Sequence, residues 1–336
     1  MGCAQSHKTL IDTKGAKNTN QQPHLELPKQ YDVTLYTKCL KGAIDEGDAA
    51  YLLRALLNCD EDQKKDLNNS YSNTHGQSLL EQISSSSTKY NWRPWIAFIS
   101  ELLLSSKHKS SMMYIKSLLD SDPISESKLV QVLCSHGDDD VQAILRCYED
   151  DTGRSLVNEI NCKFQAESAE ALCAFLTKKE EFDVSPSDYA SNLIESATDN
   201  KLFKDNRLFF SYLRTVPSDK LKDIFEMFLR QCQRDLTVEI EKHYPAGIVQ
   251  DTLKKIVSVI RNAPLERVNR IHELLNSTED DHDVEELCFL ILSPTLGHMT
   301  ELKQVYKTTH FDMLAKDIKD QTTDDILKIV LLHAVK

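Results

Sequence analysis

The feature that most constrains this chain is a spacing that recurs four times. Tyr148, Leu156 and Ile160 set an aromatic, a leucine eight positions on and an isoleucine four further. Tyr71, Leu79 and Ile83 repeat the pattern, as do Phe228, Leu236 and Ile240, and Tyr306, Leu314 and Ile318. The leucines of successive copies stand 77, 80 and 78 residues apart. Four positions before each aromatic come Leu67, Ile144, Ile224 and Leu302. Fifteen before come Leu56, Leu133, Leu213 and Ile291, and nineteen before, Leu52, Leu129, Phe209 and Leu287. Every one is large and apolar in a chain that is 40% hydrophobic, so chance rarely gives this agreement. A fixed internal period of this kind is the signature of a repeat architecture.

The copies read as helical. Nine glycines and nine prolines in 336 residues favour long helices over many short strands. In the first copy, Tyr31–Ala43 puts Val33, Leu35, Tyr36, Cys39 and Leu40 on one stripe. A loop over Gly42–Asp48 then leads to a second helix, Ala49–Asn58. Asp60 is the expected N-cap of a third helix through Tyr71, which His75-Gly76 ends. Gln77–Ser84 reads as a short fourth helix, and the serine run Ser84–Ser87 leads to a fifth carrying Trp95, Ile96, Phe98, Ile99 and Leu102. The third-helix start recurs at Ser135–Asp138, Pro217-Ser218-Asp219 and Ser293-Pro294-Thr295, with proline well placed for a first turn. The expected architecture is all-α, with four repeats of about 78 residues and five helices each. They run over 30–106, 107–183, 184–261 and 262–336, after a tail of 1–29.

The net charge is −12, and it is unevenly placed: the tail carries four lysines against Asp12 and Glu26, which leaves +2 there and −14 on the body. Such a body has no general attraction for nucleic acid or for an anionic bilayer, so no nucleic-acid partner is expected. Nine scattered cysteines without a C-x-x-C pair, no signal peptide and no membrane-spanning run point to reduced thiols in the cytosol. Cys39, Cys134, Cys173 and Cys288 read as small core hydrophobes.

The chain opens M-G-C-A-Q-S. Gly2 with Ser6 fits the N-myristoylation pattern, and Cys3 stands beside it as a palmitoyl acceptor. One acyl chain holds a protein to a bilayer only marginally, whereas two hold it stably. Lys8, Lys14 and Lys17 would add about 1 kcal/mol each close to anionic headgroups. From His7 to Gln30 the chain is polar and without apolar periodicity, as expected of a flexible tether.

A search for catalytic chemistry finds no phosphate loop, no dinucleotide fingerprint, no nucleophile elbow and no H-E-x-x-H. Cys134 with His136, or Cys288 with His298, can be paired on paper, but both cysteines belong to apolar helices. No enzyme activity is expected.

The four all-helical copies with their aromatic-x7-leucine-x3-isoleucine core resemble an annexin core. In the first copy Leu35-Tyr36, Lys41-Gly42 and Leu52-Leu53 resemble the start of an annexin repeat, and the resemblance covers about 30–336. A different helical solenoid is the competing reading, although common helical repeats have periods near half this one. The acylation pattern on a divergent annexin is similar to some alpha-giardins, the annexins of diplomonad protists.

The resemblance implies a curved core that binds calcium on its convex face. In that family a K-G-x-G-T turn between the first two helices, completed by a carboxylate late in the fourth-helix region, bridges the ion to lipid phosphates. Glycine lets the carbonyls converge on the ion, and calcium prefers hard anionic oxygen. This chain departs from that pattern in every copy. Lys41-Gly42 continues as Ala43-Ile44-Asp45, with Ser86 near the carboxylate position. Leu119-Asp120-Ser121-Asp122-Pro123 is matched by Lys163, and Thr198-Asp199-Asn200-Lys201 by His243. The fourth loop, Asn276 to Asp283, lacks glycine but has Asp320 close to the right place. Glu279, Asp280 and Asp281 with Asp320 are therefore the candidate ligands of a weak, non-standard calcium site, and Asp45, Glu46 and Asp48 form a lesser one.

The expectation that follows is a cytoplasmic protein held at the inner face of a plasma or flagellar membrane by acylation. There it would bind phospholipid and organise membrane–cytoskeleton contacts, with microtubule or flagellar proteins as partners. The alternative is a calcium-dependent phospholipid binder that works through its atypical loops.

Overall fold

The structure is a computed structural model describing residues 28, 30–177, 186–198, 207–277, 281–293, 296 and 299–336. The described residues form nineteen helices. The first copy supplies α1 (Val33–Glu46), α2 (Ala49–Leu57), α3 (Glu61–His75), α4 (Leu79–Tyr90) and α5 (Pro94–Leu104). The second supplies α6 (Lys107–Asp120), α7 (Glu126–Cys134), α8 (Asp138–Thr152), α9 (Leu156–Lys163) and α10 (Ala166–Leu176). The third has α11 (Pro186–Thr198), α12 (Arg207–Thr215), α13 (Ser218–Cys232), α14 (Leu236–His243) and the first half of α15 (Ile248–Leu275). The second half of α15 opens the fourth copy, which continues through α16 (Asp281–Leu292), α17 (Met299–His310), α18 (Leu314–Gln321) and α19 (Asp325–Ala334). Two helices meet end to end in α15, where Asn262 leaves helical geometry (φ −155, ψ 73) two residues before Pro264. The Asn262 side chain caps the new start by accepting from the Leu265 amide at 3.1 Å.

Local chemistry sets the helix ends. The carboxylates of Asp32, Asp48 and Asp324 accept from Leu35, Tyr51 and Leu327 amides, and Asp60 with Gln63 and Ser78 with Glu81 form capping boxes. Each third helix ends in a left-handed residue: Gly76 and Gly153 in the first two copies, Gln233 and Phe311 in the others.

The recurrent aromatic, leucine and isoleucine of all four copies form the core, none more than 2% exposed. Contacts between copies then close the body. α5 packs on α16 and α2 on α19, joining the first copy to the fourth, while α7 and α10 pack on α15 and α10 on α12. Polar ties cross the same seams: the Ser218 amide and hydroxyl donate to the Asp138 carboxylate at 3.0 and 2.7 Å. Lys128 on α7 reaches Glu286 on α16 at 2.7 Å.

Three details differ from the sequence reading. α1 continues to Glu46, so the expected loop over Gly42–Asp48 shrinks to Gly47 and Asp48. Ala43 and Ile44 are completely buried, and burying them outweighs the roughly 1 kcal/mol that a helical glycine costs. α4 runs through the serine run to Tyr90, with the Ser85 hydroxyl donating back to the carbonyls of Glu81 and Gln82. Leu35 is 45% exposed rather than facing the core, and Cys39 and Cys173 are only partly buried, whereas Cys134 and Cys288 are fully inside.

Candidate functional site

The fold brings the turn between the first and second helices of a copy against the corner between its fourth and fifth. In the first copy the Trp92 indole donates to the Gly47 carbonyl at 3.1 Å, and the Tyr90 hydroxyl donates to the Asp45 carbonyl. The two rings stack, with centroids 6.1 Å apart, and Tyr90 lies flush against Gly47. In the second copy Lys163 Nζ donates to the Leu119 carbonyl at 2.7 Å, with Glu159 at 3.6 Å and Asp120 at 3.9 Å. In the fourth, Gln321 and Thr322 line a small cavity with Leu274 and Leu275. The corresponding turn of the third copy, 199–206, lies outside the described residues.

A calcium ion needs six to eight oxygens at 2.3–2.6 Å. The first two copies do not offer that donor set, because carbonyls a cation would use already accept from hydroxyl, indole or ammonium groups of the chain. Nor do Asp45, Glu46 and Asp48 converge. Asp45 pairs with Lys41 one turn back on α1, Glu46 is exposed at the end of α1, and Asp48 caps α2 through the Tyr51 amide at 2.9 Å. Ser86, near the carboxylate position of the first copy, is buried and accepts from Gln82 at 3.4 Å. In the fourth copy Asp320 is exposed on α18. Glu279 and Asp280 lie outside the described residues, and Asp281 is described only as the first residue of α16. Among the described residues no group of three or more His, Cys, Asp or Glu side chains is arranged to hold a metal ion. Gly2 and Cys3 also lie outside the described residues.

Sequence reasoning missed two features. Tyr90 and Trp92 carry no motif that announces them as partners of a turn 45 residues upstream. The second is a polar centre where α7, α15 and α16 meet. There the Glu286 carboxylate, 2% exposed, accepts from Arg270 at 2.7 and 2.8 Å and from Lys128 at 2.7 Å. The hydrogen bond to Glu286 holds the Arg270 guanidinium above its usual pKa against the opposing effect of burial. A cavity of about 380 Å³ opens beside this network, lined also by Gln131, Lys255 and Glu273.

The paper pairings of cysteine and histidine do not form reactive sites. His136 is buried, with Nδ1 2.6 Å from the Val132 carbonyl and Nε2 3.2 Å from the Ser111 hydroxyl. Burial pushes the Cys288 thiol far above its usual pKa, and His298 lies outside the described residues. No helix among the described residues is long and apolar enough to cross a membrane.

No protein-family model matches the sequence. Curated relatives do. Rat Annexin A4 is 22% identical over 307 residues, covering 90% of this chain and 92% of its own length. Human Annexin A7 is 19% identical over 307 residues, covering 89% of this chain, which spans only 60% of that relative. Among solved structures, annexin III superposes with a TM-score of 0.79 over 92% of this chain and 95% of its own, at 17% identity. Calcium-bound alpha-14 giardin gives 0.71 over 91% and 100%, at 11% identity. Annexins therefore recur in both comparisons, with no enzyme among these relatives. The chain has the annexin fold.

Proposed function

We propose that this chain is a peripheral phospholipid-binding protein that meets the bilayer with the rim formed by its first–second turns and fourth–fifth corners. The observation that carries this reading is the nearly full-length annexin fold, at a TM-score of 0.79 to annexin III over 92% of the chain. Calcium enters the reading through the fourth copy, where Glu279, Asp280 and Asp281 with Asp320 are the residues that would bridge an ion to lipid phosphate. A body charge of −14 makes some such neutralisation useful, because the bare surface repels anionic lipid. The test is sedimentation of unacylated full-length protein with phosphatidylserine liposomes, in calcium and in chelator. Pelleting that chelator reverses supports the reading, and protein that stays soluble in both conditions removes it.

A second reading is favoured by the way the first two copies fill their own turns, which leaves fewer positions for calcium bridges. Under it, myristate on Gly2 and palmitate on Cys3 supply stable residence, and the body serves as a scaffold between the membrane and the cytoskeleton, at a flagellum if the giardin likeness extends that far. Equal labelling of wild type and Gly2→Ala by a myristate analogue would sink the anchor.

A further inference from the structure

We propose that the second copy carries its own cation: the Lys163 ammonium takes the Leu119 carbonyl that a calcium ion in this turn would need, and holds the Leu119–Ser125 turn closed without metal. Lys163 ends α9, seven positions beyond the core residue Leu156. Its Nζ is 2.7 Å from the Leu119 carbonyl, 3.6 Å from Glu159 and 3.9 Å from Asp120, so three oxygens surround an ammonium with three N–H donors. A calcium ion bound to the same carbonyl would lie 2.3–2.6 Å from it, within a few tenths of an ångström of the distance the nitrogen already holds. Ion and ammonium exclude each other from that position by volume and by charge. Asp120, Asp122 and Glu126 border the same hollow, and the lysine is the cation they share it with.

The first copy reaches the same result with different groups. Its fourth helix has 12 residues where α9, α14 and α18 have 8. The extra turn carries Tyr90 and Trp92 over the Asp45 and Gly47 carbonyls, where a hydroxyl and an indole donate. Two unrelated substitutions thus satisfy the two turns internally. These halves of the rim keep their shape whatever the calcium level, and calcium sensitivity, where the protein has any, resides in the remaining copies.

The test counts calcium ions bound by full-length protein without lipid, by equilibrium dialysis, so its outcome is separate from membrane binding. Wild type and the Asp120→Asn/Asp122→Asn double variant should bind the same number of ions. Lys163→Glu, which puts a carboxylate where the lysine stood, should bind one more. Lys109→Glu, the same charge change at the other end of α6, should match wild type. Loss of an ion in the Asn double variant would show that the wild-type turn binds calcium, and would overturn the proposal whether or not Lys163→Glu folds. So would a Lys163→Glu protein with wild-type circular dichroism and no added ion.

Discussion

Acidification from pH 7 to pH 5 should cost the fold about 2 kcal/mol through His136 alone. The ring is 3% exposed beside the end of α7. Its Nδ1–H donates to the Val132 carbonyl at 2.6 Å, which leaves Nε2 to accept from the Ser111 hydroxyl at 3.2 Å. Burial lowers its pKa from 6.5 to about 4, with the Val132 hydrogen bond and Asp140 opposing and Lys107 and His108 adding to the shift. Between those two values the unfolded chain holds a proton that the folded chain does not. Stability is therefore complete above the unfolded pKa and falls as pH drops through the window. At pH 5 the gap is about 1.5 units, each worth about 1.36 kcal/mol, hence about 2 kcal/mol. The assay is urea unfolding of wild type and His136→Asn at both pH values. Burial also depresses His310 and His333, but these are present in both proteins and cancel in the comparison. The advantage of wild type over the variant should shrink by about 2 kcal/mol at pH 5. A difference that is the same at both pH values, or an NMR titration of His136 near its ordinary pKa in the folded protein, would refute the reasoning.

Two further perturbations separate individual interactions. Gly47 has φ 77, and a methyl there would sit 2.9 Å from the Tyr90 ring, whereas Gly76 at φ 73 has no atom within 4 Å of that position. Gly76→Ala should cost the backbone term alone, about 1–2 kcal/mol. Gly47→Ala should cost measurably more in thermal melts and quench or shift Trp92 fluorescence, and equal costs would mean that the aromatic contact is slack. Glu286→Ala leaves Lys128 with Asp283 at 3.4 Å, and Arg270 with Glu273 at 3.2 Å and Asp283 at 3.9 Å. It should destabilise by about 3 kcal/mol, near the lower end for a buried pair because both cations keep some solvent and a second carboxylate. A double-mutant cycle with Lys128→Ala in urea should return about 1–3 kcal/mol of coupling. A value near zero would show that the link between the second and fourth copies is solvated.

How far the sequence carried depended on whether a residue's role was local. Tyr71, Leu79 and Ile83 and their counterparts could be read as core because helical spacing alone puts them on one face, and all prove buried. The Asp60 cap and the break at Gly76 were legible for the same reason, since the groups that satisfy them lie within four residues. Helix ends were less so. Gly42 looked like a breaker, yet the burial of Ala43 and Ile44 carries α1 past it to Gly47. The serines at 84–87 looked like a linker, yet the core contact of Ile83 and back-bonded hydroxyls extend α4 to Tyr90.

The candidate site divides along the same line. The loss of the glycine pattern in all four turns was visible in the sequence, and so were Lys163 and the acidic turn it faces. That Asp45 pairs with Lys41, Asp48 caps α2 and Glu46 is exposed was not, because it depends on where α1 ends.

The sequence by itself determined that the chain is four copies of one all-helical unit, because a repeated apolar period admits no other economical burial. Only the tertiary structure decided that α5 and α2 close on α16 and α19. It also decided that Trp92, Tyr90 and Lys163 answer carbonyls 44 or 45 residues away. Periodicity records which face a residue presents to its own helix, whereas a donor reaching across a corner depends on the length and direction of two helices at once. No local pattern encodes that pair of quantities.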